Sequence, residues 1–523
     1  MTRIAQFFGA HGAEAQVRPS SIRDRAVLAG LGIFSGLVYL ALARLSEQFN
    51  WGEGYADRPI LAYLVQYGLL FCLYAAAGFW ILRRRLEDRV VFWLVVGFGL
   101  AFRLIILPSQ QIQEDDVYRY LWDGKVFAHG INPYAYAPQD VTDFKYIQIR
   151  DPRELRRRFS PDDLRNLETL YRLKFENPTA LLFQERVNHP KVPTIYPPLA
   201  QWVLRLAHHL RPDSIFALRL VFLAFDASAL VFLTLTLRTF NRNPNLSLWY
   251  FWSPLVIKET FNSTHLDIIG IACLCACVFF WARRWLIAAT LALALSVLGK
   301  LYPVIVLPLY LLDASRPAVS GGRRNWNEAA LQALLFAVTV FMFYLPFLDI
   351  GRAAFQGLQT YAVQWQRNDS VFALLLYFYR GILGLRATGA YVIADDLGGL
   401  CAKLTAGAIL FGAMLGLARR GNGDALQPVR ASFVMIALAF ILSPVQNPWY
   451  LCWVVPFLCF FPVRAWIFLT GLIGLYYLEF YFDYQEARQY IPWVVWVEYT
   501  PFYALLGWNL WRWKRVPATA EIH

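Results

Sequence analysis

The stretch LAYLVQYGLLFCLYAAAGFWIL, residues 61–82, carries no charged side chain, and one glutamine is its only strongly polar residue. Roughly 20 apolar residues in helical form span the hydrocarbon core of a bilayer, so a block of this length reads as a membrane span. A helix is the form it must take, because lipid offers no partner to a bare peptide group. Further out, Ser214–Leu237 is as long and is interrupted by only two charges, Arg219 and Asp226. The fold class follows: an all-α polytopic bundle.

The composition agrees with this reading. Of 523 residues, 58% are hydrophobic and 16% charged, and the mean hydropathy is +0.40. A soluble domain of that size would need a polar coat. The formal net charge of +13 gathers in short clusters between apolar blocks: Arg83–Arg85, Arg238 with Arg242, Arg283–Arg284, Arg323–Arg324, Arg419–Arg420 and Arg512 to Arg515. That is the positive-inside distribution of cytoplasmic loops, which also meet anionic lipid. No basic groove with interleaved aromatics is present, so nucleic acid is excluded as a partner. The seven cysteines all fall in apolar runs and lack zinc-finger spacing; they read as small hydrophobes.

Loop charge then threads the chain, and about fourteen spans result. Residues 1–25 start inside and Ala26–Leu45 is a retained first span. Pro59–Leu82 returns and Val90–Leu107 exits again, opening a long polar outer loop at 108–195. Arg153–Arg158 and the charged stretch to Arg172 read as a surface helix on the membrane. Pro197–Leu210 is too short to cross and contains Arg205, His208 and His209, so it reads as a re-entrant half-helix. Crossing there would also put every later arginine cluster outside. Ile215–Leu237, Leu246–Ile257, Ile268–Trp281, Trp285–Leu298, Tyr302–Leu312 and Ala329–Leu348 follow. A second outer loop, Asp349–Ser370, leads into the half-helix Val371–Leu385, so 349–385 forms a second outer unit. Leu397–Leu417, Ala431–Leu442, Tyr450–Phe461, Ala465–Phe482 and Val494–Trp511 complete a membrane domain over 26–512, with a cytoplasmic tail at 513–523.

One face of this threading collects the unusual polar residues. Glu114-Asp115-Asp116 sits where a span emerges, and Asp116, Arg119, Tyr120 and Asp123 share one helical face through their spacing. Three acids at a helix start also suit its dipole, which is the structural alternative. Lys258-Glu259 and His265-Leu266-Asp267 flank a short outer loop, where snorkelling is the plain explanation. Lys300 breaks a span at its outer end. Arg367, Asn368 and Asp369 close the second loop, and Gln446-Asn447-Pro448-Trp449-Tyr450 caps another hairpin. Acids, amines and aromatics from separate hairpins converge on one rim. His265 and Asp267 with Glu114 or Asp116 could hold a divalent metal such as Mg or Mn. Asp226 reads as balancing a buried polar contact.

These residues resemble the GT-C superfamily of polytopic glycosyltransferases, which use polyprenyl-phosphate sugars. The nearest likeness is to polyprenol-phosphate-mannose-dependent mannosyltransferases, including the type that adds the first mannose of GPI anchors. The pattern is Glu114-Asp115-Asp116, Tyr118, Tyr120, Gly130 and Pro133-Tyr134. It continues with Tyr196-Pro197-Pro198, Trp252-Ser253-Pro254, His265-x-Asp267, Lys300-x-Tyr302-Pro303, Asn368-x-Ser370-x-Phe372 and Pro448-Trp449-Tyr450. Two departures stand out: the acidic signature is Glu-Asp-Asp, and an insertion runs from Val141 to Asn188.

The resemblance implies direct, inverting transfer of a hexose, mannose favoured, to a glycan or lipid acceptor at the outer face. It places the chain in a membrane, read as the bacterial inner membrane with the site toward the periplasm. The expected base is Asp116, with Asp115 next and Glu114 as orienter or, with Asp116, as metal ligand. Lys300 and Arg367, backed by His265 and Lys258, are expected on the donor phosphate. Tyr118, Arg119, Asp123, Tyr134, Glu259, Asp267, Asn368, Trp449 and Tyr450 are expected to contact substrate. The rival reading from another class is a transporter or flippase for a polyprenyl-linked glycolipid, which would show repeated halves and midplane charges; a non-catalytic assembly subunit is a third.

Overall fold

The computed structural model describes residues 19–49, 51–52, 54–316, 323–385, 396–420 and 425–515. The expected cytoplasmic segments before residue 19 and after residue 515 lie outside the described residues. Among the described residues the named elements are all helical, and an isolated bridge pairs Arg367 with Val445.

Among the described residues, seven helical runs are long and apolar enough to cross a membrane: Ile22–Ser46, Tyr55–Arg84, Arg89–Ile106, Ile215–Thr239, Trp326–Gln364, Leu397–Arg419 and Arg464–Tyr484. Five shorter apolar helices accompany them, among them Asp267–Ala282, Leu286–Gly299 and Gln427–Leu442. Local chemistry sets the helix starts. Ser21 and Asp24 form a reciprocal capping box before Ile22–Ser46, and Asp88 accepts from the Val90 and Val91 amides to start Arg89–Ile106.

Burial separates helices by role. In the Trp326–Gln364 run only 6% of the apolar window is covered, and Leu331, Leu334, Val338 and Phe341 are exposed; such a surface is suited to lipid. Asp267–Ala282 and Leu286–Gly299 lie in the interior, packed closely enough that a Cβ on Gly270 would meet the Trp453 ring at 2.4 Å. Only glycine permits that approach.

Several expected elements change form. The outer loop expected over Asp349–Ser370 is helical to Gln364, broken only where Gly351 takes φ 58°. The spans expected over Leu246–Ile257 and Tyr450–Phe461 are short helical turns, each resumed around a proline, Pro254 and Pro456. The single surface helix expected from Arg153 to Arg172 is two, Pro152–Arg158 and Pro161–Lys174. Within the insertion every helix starts on proline: Pro138–Arg150, those two, and Pro178–Glu185. The short Pro198–Leu210 helix exists as expected, at about 20 Å too short for a span. It lies against Asp116–Ala128, and a Cβ on Gly124 would meet the Leu204 carbonyl oxygen at 2.6 Å.

Asp226 does balance a buried charge, and its partner is Arg103. The guanidinium bonds both carboxylate oxygens, at 2.5 and 3.2 Å, and the Gly99 and Phe251 carbonyls. Tyr250 donates to the same carboxylate at 2.7 Å. Both charged side chains are wholly buried. Removing one partner of such a pair strands the other charge, so Arg103→Met should cost about 3–5 kcal/mol. The double variant Arg103→Met/Asp226→Asn should cost less than the single one, which thermal unfolding in detergent would read out.

Candidate active site

The site is assembled where helix ends meet. Asn262 accepts from the Ile112 amide at 3.0 Å and donates to Ser109 Oγ and the Gln110 carbonyl, so the start of the acidic loop is tied to the 258–266 loop. Arg219, near the start of Ile215–Thr239, fastens the same two segments. Its guanidinium donates to the carbonyls of Leu107, Ser109 and Asn262 and to Thr264 Oγ1, at 2.7, 2.6, 2.5 and 2.9 Å.

Glu114, Asp115 and Asp116 follow at once, with Gln113 at φ 72° turning the chain into the Asp116–Ala128 helix. Glu114 is buried and its Oε1 has no hydrogen-bond partner. Burial pushes its carboxyl up to about 8 against the pull of Lys258, and Glu259 and Asp116 push the same way. Asp115 is raised to about 6 by burial, opposed by Arg58. Asp115 and Asp116 are both half-buried, and Asp116 is the one that meets the neighbouring loops. Asn188 donates to its Oδ1 at 2.5 Å, the Tyr120 hydroxyl is 3.4 Å from Oδ2, and His265 Nδ1 is 3.6 Å from Oδ2.

The partner loop carries opposite charge beside its own acids. Lys258 is buried against Ser263 Oγ at 2.7 Å, the Tyr477 hydroxyl and Glu259 at 3.2 Å. His265 is buried, stacks on Trp449 with centroids 3.9 Å apart, and lies 3.4 Å from Glu259. Asp267 joins Lys300 at 3.0 Å and accepts from the Trp453 indole at 2.7 Å. The Lys300 ammonium stands over the rings of Tyr450 and Tyr196, at 4.9 and 5.7 Å. Arg367 is exposed, pairs with Glu479 at 2.9 Å and lies within electrostatic reach of Glu114. Trp449 and Tyr476 bridge His265 to Arg367. Glu114, Asp116, Lys258, Glu259, His265, Asp267, Lys300, Arg367, Trp449 and Tyr450 thus form one continuous cluster.

Other expected contacts are engaged internally. Arg119 bonds Asp123 at 3.0 Å and the Val192 carbonyl at 2.9 Å, inside the packing of the loop helix. Tyr134 donates to the Tyr196 carbonyl, and Asn368 donates to Glu498 and the Gln446 carbonyl. Tyr118 accepts from Arg186 at 2.6 Å. The sequence reading missed Asn188, Arg186, Arg58, Arg219 and Tyr477. Asn188 and Arg186 belong to the insertion, which therefore folds back over the acids. A cavity of about 500 Å³ lies within that insertion, lined by Phe144, Leu155, Arg156, Arg165 and Arg172 among others.

Among the described residues no three His, Cys, Asp or Glu side chains gather as a metal-ligand set. Asp267 turns its oxygens to Lys300 and Trp453, away from the acids of the loop.

A buried carboxyl held protonated makes the fold sensitive to base. Glu114 binds its proton in the folded chain up to about 8, against an ordinary value of 4.5, so stability falls as pH rises between those values. Glu114→Gln should flatten that slope and raise the unfolding midpoint at pH 8, as measured by unfolding of the detergent-solubilised protein from pH 5 to 9.

Residues 178–316 match the family described as alpha-(1->6)-mannopyranosyltransferase, N-terminal domain, a GT-C mannosyltransferase family. No curated protein and no solved structure matches the chain. The matched stretch contains Arg219, Lys258, Glu259, His265, Asp267 and Lys300, so much of the cluster, though not Arg367, lies within a segment similar to mannosyltransferases, and the match supports a glycosyltransferase that moves mannose.

Proposed function

We propose that this protein transfers mannose from a polyprenyl-phosphate donor to a glycan or lipid acceptor at the extracytoplasmic face of a membrane, with inversion at the anomeric carbon. The observation that carries the reading is the meeting of Glu114–Asp116 with Lys300 and Arg367 in one cluster at helix ends. A polyprenyl-phosphate sugar needs such a place, with its tail in lipid and its sugar at the water boundary. The arginine clusters at the opposite ends of the spans support an outward-facing site.

The chemistry is a single displacement. The acceptor hydroxyl oxygen bonds to the anomeric carbon as the bond from that carbon to the phosphate oxygen breaks. The electron pair leaves with the phosphate, and Asp116 takes the hydroxyl proton. Asp116 suits this duty because its Oδ1 is fixed by Asn188 while its side chain keeps some exposure, 21%. Glu114, uncharged near neutral pH, adds no second negative charge to repel the departing phosphate. Lys300 and Arg367 meet the charge that develops on that phosphate. Tyr450 and Trp449 offer flat surfaces on which a sugar ring packs, and the insertion that brings Asn188 to Asp116 is set on the acceptor side.

The test is transfer from polyprenyl-phosphate mannose in membranes or proteoliposomes, with products read by mass spectrometry. Asp116→Asn should lower turnover by about 100-fold or more with expression unchanged. Lys300→Met should lower turnover and weaken donor use together. Near-normal turnover by Asp116→Asn removes it as the base, and flux of labelled lipid without a new glycosidic bond would replace transfer with transport.

A further inference from the structure

His265 was expected beside the donor phosphate, but its surroundings are carboxylates. The ring lies between Asp116 and Glu259, with Nδ1 3.6 Å from one and Nε2 3.4 Å from the other. Neither ring nitrogen has another hydrogen-bond partner. One face is covered by Trp449 at 3.9 Å and an interplanar angle of 20°. The backbone leaves little freedom: Thr264 is held at φ 64°, and the His265 amide donates to the Glu259 carbonyl at 2.9 Å. Glu259 is itself fixed, since Tyr477 and Lys258 hold its Oε1 and leave Oε2 for the imidazole.

We propose that His265 is a positioning residue for Asp116: in the closed, substrate-loaded site its Nδ1–H donates to Asp116 Oδ2, while Nε2 accepts a proton-bearing Glu259 Oε2. This rests on the reading of Asp116 as base. With Asn188 on Oδ1, and His265 and the Tyr120 hydroxyl at Oδ2, the carboxylate is held at both oxygens, and a lone pair is left for the acceptor hydroxyl. Separations of 3.4 and 3.6 Å are longer than hydrogen bonds, as is common before substrate closes a site. One proton placed on Glu259 and one on Nδ1 satisfies every atom of the row, and burial raises the Glu259 carboxyl toward that state. A phosphate ligand would instead need an N–H turned to open space, and both ring nitrogens are directed at carboxylates.

The test separates the two roles through kinetics of the full-length protein in proteoliposomes. His265→Ala should lower kcat by about 30-fold and leave KM for the polyprenyl-phosphate donor within about twofold. His265→Asn, whose amide N–H falls near the Nδ1 position, should recover most of that loss. Equal melting of both variants and the parent in detergent shows that packing on Trp449 is not the cause. A raised donor KM with kcat unchanged would overturn the proposal in favour of phosphate binding, and so would an Asn variant no better than Ala. If His265→Ala fails to fold, the Asn variant decides alone: kcat within about threefold of the parent supports positioning, and a donor KM defect refutes it. Should Asp116→Asn abolish transfer while His265→Ala leaves kcat intact, only this role falls. Should Asp116→Asn stay active, the base assignment falls first.

Discussion

Arg219 holds together the two segments from which the site is made. A helix leaves its last carbonyls without intrahelical donors and carries a partial negative charge at that end. The Arg89–Ile106 helix ends in this way, with Leu107 and Ser109 just beyond it. Arg219 supplies the missing donors to both carbonyls and uses its remaining N–H groups on Asn262 and Thr264. A buried guanidinium met by carbonyl dipoles thereby fixes the emergence of Glu114–Asp116 against the loop that presents His265. The angle between those loops, and hence every distance in the cluster, follows from that clasp. Arg103 does different work: its bidentate pair with Asp226 satisfies charge within the bundle.

The cations of the rim share one arrangement. Lys300 with Asp267 and Arg367 with Glu479 are each held by a carboxylate, and Lys258 is held by Ser263, Tyr477 and the Glu259 side chain. A buried ion pair seldom adds much net stability, because desolvation offsets the attraction. What it does provide is direction, since a long flexible ammonium is kept aimed before an anion arrives. The aromatic rings of Tyr196 and Tyr450 beside Lys300 extend that restraint. With Glu114 protonated, the cluster can receive a phosphate without gathering an extra fixed negative charge next to it.

The bundle was legible in the sequence because hydropathy and loop charge are local signals. So was the rim, since Glu114–Asp116, Lys258–Asp267, Lys300 and Arg367 each mark the end of an apolar block. The spacing argument that joined Arg119 and Asp123 to Asp116 was geometrically sound, yet it reports only which residues share a helical face. It says nothing of what covers that face, and here the Val192 backbone does so. Asn188 lies 72 positions from Asp116, and Arg219 lies 45 from Thr264. No pattern of three to seven residues encodes such pairings. Arg219 did carry one readable sign, a guanidinium inside an apolar run, but its nearest charged neighbour along the helix was Asp226, and the true partners were neutral oxygens. Gly351 hid a continuing helix behind a residue that sequence logic treats as a break.

The segment similar to mannosyltransferases ends short of the acids on one side and of Arg367 and Trp449 on the other. It therefore contains Lys300, His265 and Asn188 of the cluster, but neither Asp116 nor Arg367. The segment and the acidic loop are joined physically by Arg219 and Asn262, both inside the matched segment, which grip the chain just before Glu114. A segment that keeps the clasp keeps the place into which an acid must be delivered. The acidic loop lies outside it, while Asn188, which the insertion returns to Asp116, lies within it. The insertion thus covers the acid from one side, through Asn188, while Lys300 stands on the other side of the cluster beside Asp267 and Tyr450.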